Sequence, residues 1–264
     1  MEVTHALVRR PSPRLEEGEV THLERQPIDT ELARRQWERY VEELHDAGWA
    51  THEVPAAPDC PDSVFIEDTM VVYSDLAVIS RPGAESRIPE TSAAEESVAA
   101  LGYRIVLIEA PGTLDGGDVL KCDGTVWVGV GGRTNEEGVR QLTAHLEPLG
   151  ATVVPVPLTK VLHLKTAVTA LPDGTVIGYE PLVDDTSVWP NFLAVPEESG
   201  AHVMVLGADT VLMAADAPRT AQLLRGRGLE VIEVDISEFE KLEGCVTCLS
   251  VRLRGMPSSA HTEG

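Results

Sequence analysis

Short apolar runs joined by tight polar turns recur along the chain, with a period of roughly 50 residues that suits repeat architectures. Val64-Phe65-Ile66 and Met70-Val71-Val72 lead through a turn at Tyr73-Ser74-Asp75 into Leu76-Ala77-Val78-Ile79. Val119-Leu120 turns at Asp123-Gly124 into Val126-Trp127-Val128, and Thr166-Ala167-Val168 turns at Pro172-Asp173-Gly174 into Val176-Ile177. Val203-Met204-Val205-Leu206 turns at Gly207-Ala208-Asp209 into Val211-Leu212-Met213. Asp-Gly pairs and short Gly/Asp turns supply the positive φ that hairpins require, so each pattern predicts a β-hairpin. A fifth hairpin is expected between residues 249–253 and residues 4–8, which brings the two ends of the chain together.

Between the hairpins the period changes. Leu32, Trp37, Tyr40, Val41 and Leu44 have helical spacing and precede Val54. Residues 91–101 form a second helical pattern ahead of Arg104-Ile105-Val106-Leu107-Ile108. Thr134-Asn135-Glu136-Glu137 reads as a helix start with acidic residues in its first turn, leading through Val139, Leu142 and Leu146 to Gly150 and Val153-Val154. Residues 218–224 lead to Val231-Ile232 and Val234, whereas residues 183–195 are irregular and include Pro190. The unit is therefore hairpin, helix, strand. A single ββαβ unit cannot bury both faces of its sheet, but a closed ring of five can. This predicts an α/β radial array in one domain spanning residues 1–264, with no linker or composition shift to divide it.

Composition narrows the function classes. Hydrophobic residues make up 43% and charged residues 24%, which fits a globular chain rather than a disordered one. The balance of 21 basic and 43 acidic residues, −22 with His neutral, argues against nucleic acid or an anionic membrane as partner. No apolar run approaches the ~18 residues of a membrane span. Residues 1–20 lack the order of a signal peptide, so a cytoplasmic location is expected. The four cysteines, Cys60, Cys122, Cys245 and Cys248, are then read as reduced thiols. Cys245-Val-Thr-Cys248 matches C-x-x-C, but it lacks the two further close ligands of a zinc site and the strand-to-helix setting of a redox motif.

Polar residues gather where the hairpins begin: Asp62, Glu67-Asp68, Asp115-Gly116-Gly117-Asp118, His163-Leu164-Lys165 and the stretch 243–248. A radial array brings such starts together near its axis, so residues distant in sequence share one pocket. Taken singly, each has an ordinary reading. Glu67-Asp68 is a solvated edge, Asp115–Asp118 a turn, His163 a core histidine, Cys248 a small buried hydrophobe, and Arg87 and Arg133 surface charges. Together, a Cys, a His and a carboxylate are the parts of thiolate catalysis. Surplus carboxylates beside them suit a cationic electrophile, and a planar guanidinium accepts several with bidentate geometry.

Phe65-Ile66-Glu67-Asp68, Leu114-Asp115-Gly116-Gly117-Asp118-Val119-Leu120, Gly132-Arg133-Thr134-Asn135, Leu162-His163-Leu164-Lys165 and Val246-Thr247-Cys248-Leu249-Ser250 resemble the dimethylarginine dimethylaminohydrolase family of the guanidine-modifying, or pentein, superfamily. So does the opening Thr4-His5-Ala6-Leu7-Val8-Arg9. The resemblance runs through essentially the whole chain, in order and with near-family spacing. It implies a five-bladed pseudo-symmetric α/β propeller and hydrolysis of Nω-methylated arginine to citrulline and an alkylamine, with no metal or organic cofactor. It makes Cys248 the nucleophile, His163 the general acid/base and Asp115 the carboxylate that orients it. Glu67 and Asp68 become guanidinium contacts, Asp62 the α-amino contact, and Arg87 and Arg133 the α-carboxylate pair. Val20 becomes an apolar lid residue, and Leu242 and Glu243 further substrate contacts, with Glu243 standing where Asp is usual. Cys245 replaces a usual apolar residue, and a packing role is expected for it.

The rivals are arginine or agmatine deiminases of the same superfamily, and a non-catalytic protein of the same fold. Arginine deiminases carry an inserted helical region absent here, agmatine would leave Arg87 and Arg133 idle, and a ribosome-binding relative is ill served by the net charge. The expected partner is a small molecule, with a homodimer left open.

Overall fold

The computed structural model describes residues 4–253, so the outermost residues of the expected 1–264 domain lie outside the described residues. Among the described residues the strands form five three-stranded sheets. Each combines an antiparallel pair with a third, parallel strand. Ser250–Leu253 pairs antiparallel with His5–Val8, which pairs parallel with Ala50–Glu53. The other four repeat the plan. Met70–Tyr73 is followed by Leu76–Ile79 and Arg104–Leu107, and Val119–Cys122 by Thr125–Val130 and Thr152–Pro157. Val168–Ala170 is followed by Val176–Gly178 and Phe192–Ala194, and Val203–Val205 by Thr210–Ala214 and Glu230–Val234. First strands of successive sheets neighbour one another, giving the five-bladed α/β propeller.

A parallel third strand needs a crossover, and helices provide it. Thr30–Asp46, Thr91–Ala100, Glu136–Leu146 and Pro218–Gly226 occupy four blades. Asp29 and Asn135 cap their helices by accepting from the N–H groups of Leu32 and Gly138 at 2.9 and 2.8 Å. The helix Thr30–Asp46 buries Ala33, Trp37, Tyr40 and Leu44 against Val234, Phe239 and Leu249. The Tyr40 hydroxyl also meets Ser250 Oγ at 2.8 Å, tying this helix to the ring-closing strand. In the fourth blade the irregular stretch replaces the helix with two short 3-10 turns, Glu180–Leu182 and Thr186–Val188.

Two hairpins begin later than their apolar runs predict. Ile66–Thr69 is a buried 3-10 turn, and Leu164–Ala167 a single helical turn, each preceding its strand. Such a turn recurs ahead of the other first strands, at Gly116–Asp118, Ser199–Ala201 and residues 246–249. A turn sends adjacent side chains in different directions inside the ring. That is how Glu67 and Asp68, both buried, each reach a separate partner.

Candidate active site

Four of these five turns carry the chemistry. Cys248, His163, Asp68, Asp62, Arg87, Arg133, Leu242 and Glu243 line one small cavity together with Glu19, Phe65, Leu162 and Gly244. Asp115 stands directly behind His163, its Oδ2 3.0 Å from His163 Nε2 and its Oδ1 accepting from the Gly83 N–H at 2.9 Å. Gly117 permits the arrangement: a Cβ there would lie 2.7 Å from Asp68 Oδ1 and 2.8 Å from the His163 ring. Asp118 braces the same corner, accepting from Thr134 Oγ1 at 2.6 Å and from the Leu164 N–H at 3.0 Å.

The electrostatics favour an imidazolium. Burial works against charge on His163, but Asp68, the hydrogen bond to Asp115 and the nearby Asp118 together raise it to about 9. Asp68 is likewise opposed by burial, yet His163 and Arg87 lower it to about 2. Cys248 is pushed in the opposite direction. Its contact with Cys245, its burial and the neighbouring charges of Glu67 and Asp68 hold its thiol well above the ordinary range. Asp68, Asp115 and His163 also converge within 4.8 Å, close enough to ligate an ion, a reading that proton transfer by the same three groups does not require.

Three expected contacts are placed differently. Glu67 does not face this cavity: its carboxylate pairs with Lys165 on the other side of the turn, with Arg252 at 3.9 Å. A fully buried carboxylate takes the cation that the fold brings to it, and Lys165 is that cation. Arg87 lines the cavity but is engaged by Asp68 at 2.6 Å, by Glu90 at 2.8 Å and by the carbonyls of Phe65 and Asp62. Glu243 sits at the rim with φ 61°, and its carboxylate accepts from the backbone N–H groups of Thr21, His22 and Leu23. It thus fastens the segment that holds Val20, which packs half-buried against the core. Cys245 does more than pack: its Sγ lies 3.2 Å from Cys248 Sγ and 3.3 Å from Thr247 Oγ1.

Glu19 and Glu90 were not singled out by the sequence. Glu90 follows Arg87 by one 3-10 turn, an i,i+3 spacing that offered a signal. Glu19 lies in a segment without regular structure and offered none.

No family model matches the chain. It is 65% identical over 249 residues, 94% of this chain and 96% of the relative, to the N(G),N(G)-dimethylarginine dimethylaminohydrolase of Streptomyces coelicolor. It is 36% identical over 251 residues, 94% of this chain and 98% of the relative, to the protein of the same name from Pseudomonas aeruginosa. The crystal structure of a cysteine-to-serine variant of the Pseudomonas aeruginosa enzyme complexed with citrulline superposes with a TM-score of 0.89 at 35% identity, covering 96% of this chain and all of that one. A cyanobacterial arginine dihydrolase domain, at 21% identity and a TM-score of 0.81, shares the fold.

Proposed function

The chain belongs to the dimethylarginine dimethylaminohydrolase family, and from that premise we propose that it hydrolyses Nω-methylated arginines to citrulline and mono- or dimethylamine. The observation that carries this reading is the meeting of the Cys248 thiol, the His163–Asp115 pair and the buried Asp68 carboxylate in one cavity. The contact with Cys245 and burial do most to hold the Cys248 proton in place, with the charges of Glu67 and Asp68 adding to them; a cation entering beside Asp68 offsets that last part and so favours the thiolate. The thiolate adds to the guanidinium carbon. His163, protonated at neutral pH, gives its proton to the methylated nitrogen as the C–N bond breaks, leaving an S-linked thiouronium. The now neutral His163 accepts a proton from water as that water adds to the same carbon. The C–S bond then breaks, citrulline forms and the cysteine is restored. Asp115 fixes the imidazole throughout and stabilises its charged form.

At the other end of the substrate, Asp62 and Arg133 serve the α-amino and α-carboxylate groups. Leu242 supplies apolar wall, and Arg87 acts chiefly by holding Asp68 in place. We read residues 1–264 as one catalytic domain working in the cytoplasm on a small molecule. The acidic balance favours a small-molecule partner over nucleic acid, and among the described residues no helix is long and apolar enough to cross a membrane.

The test is to incubate the purified protein with asymmetric dimethylarginine, monomethylarginine, arginine and agmatine, and to measure ureido product from each. Methylated arginines are expected to give the higher kcat/KM. A kcat/KM for arginine exceeding that for dimethylarginine would move the chain to the deiminase reading.

A further inference from the structure

The cavity beside Cys248 and His163 is only about 20 Å³, room for about one water molecule and far too small for an amino acid. What fills its outer end is Glu19. The Glu19 carboxylate takes Arg133 Nη2 at 2.8 Å and is also hydrogen-bonded by Ser86 Oγ. Its own backbone N–H donates to both oxygens of Asp62, at 3.1 and 3.2 Å. One residue therefore presents a carboxylate to the arginine and an N–H to the aspartate, the same two groups that an α-amino acid would present to them.

The match extends to what is left unfilled. Arg133 Nη1 is buried with no hydrogen-bond partner, although a guanidinium fork suits two oxygens of one carboxylate. Glu19 is also placed to let go, because its side chain keeps 40% exposure and water can take over its charge when it swings out. Its segment is held close by other contacts. Arg25 donates to the carbonyls of Glu16 and Gly18 at 2.9 and 2.7 Å, and Glu243 gathers the three N–H groups that follow. Gly18 lets the backbone run against Asp62, since a Cβ there would lie 2.7 Å from its Oδ1.

We propose that Glu19 is an internal stand-in for the amino-acid end of the substrate. It holds Arg133 and Asp62 in the empty enzyme and is exchanged for the α-carboxylate and α-amine of the incoming ligand. This rests on the functional reading above for the identity of that ligand. Glu19 is thereby a specificity-determining residue. A ligand with both groups replaces what it displaces, whereas a guanidine lacking the carboxylate must break the Glu19–Arg133 pair without supplying another.

The test compares wild type with Glu19→Gln and Glu19→Ala, in steady-state kinetics with dimethylarginine and in calorimetric titration with citrulline, which has the same amino-acid end. Removing a competitor that holds the site most of the time is expected to lower KM and the citrulline Kd about three- to tenfold, with kcat changing far less. Nω,Nω-dimethylagmatine, which brings no carboxylate, is expected to gain much less. Turnover of dimethylarginine with KM and citrulline affinity unchanged or weakened in both variants overturns this inference and leaves the functional reading standing. Tighter citrulline binding in the variants of a protein that turns over no methylated arginine has the opposite meaning.

Discussion

Two cavities meet at the turns that begin the hairpins, and they differ in almost everything. One, of about 340 Å³, is lined by the first strands of all five blades and by Glu67, Lys165 and Arg252. The other, of about 20 Å³, holds Cys248, His163 and Asp68. The larger has the size expected of a ligand site, yet its Glu67, Lys165 and Arg252 are paired with one another, and Cys248, His163 and Asp68 are not among the residues that line it. The smaller is nearly closed by Glu19, from the irregular segment that follows Gly18. The reactive side chains thus locate the site here, and cavity volume does not. The partition itself is made by adjacent residues, Glu67 turning one way and Asp68 the other from a single 3-10 turn.

The sharpest way to break this contrast is at the nucleophile. Cys248→Ser is expected to lower citrulline formation by about a thousandfold or more, whereas Cys245→Ser keeps most of it. A covalent adduct detected by mass spectrometry in Cys248→Ser and lost in Cys245→Ser would give the role to the other thiol.

Next in size is Glu67→Gln, which leaves Lys165 buried without its counter-charge. We expect a loss of about 3–5 kcal/mol in urea unfolding, together with turnover in the fraction that remains folded. Full stability combined with abolished turnover would return Glu67 to the substrate, where family resemblance had put it.

The smallest effect expected is on pH dependence. His163 is raised to about 9 in the folded protein, above its ordinary 6.5, so its contribution to stability is complete below 6.5 and is lost as pH rises through about 9. Activity needing the protonated imidazole should fall about tenfold per pH unit above that value. A kcat profile measured from pH 6 to 10 that breaks near 6.5 instead would show that the three aspartates do not act on His163 as their positions imply.

Much of this was legible in the sequence, for identifiable reasons. Hairpins announce themselves because Asp123-Gly124 and Ser74 must adopt positive φ, and few residues do so readily. Hairpin starts that converge in a ring place the stretches holding Asp115, His163 and Cys248 in one pocket, and the family resemblance is what singles out these three within them. What escaped was the choice of partner. Nothing local to Glu67 tells that Lys165 will lie beside it, and apolar Val64-Phe65-Ile66 reads as a strand although burying two carboxylates calls for a turn. Glu243, expected among the substrate contacts, lines the cavity but gives its carboxylate to backbone N–H groups, because its longer arm and left-handed backbone aim it at residues 21–23. Glu19 has no periodicity to betray it.

The last blade is assembled from both ends of the described chain, with His5 opposite Leu253 and Val8 opposite Ser250. Cys248 stands just ahead of that closing strand. During synthesis Cys248 therefore leaves the ribosome after nearly all of the scaffold, and only a pairing of very high sequence separation, among the slowest kinds to form, seats it. A nascent chain can have built four blades and gathered its histidine and aspartates while remaining chemically inert. Appearance of thiol reactivity toward a guanidinium is consequently a clock for ring closure, readable during refolding without any spectroscopic label.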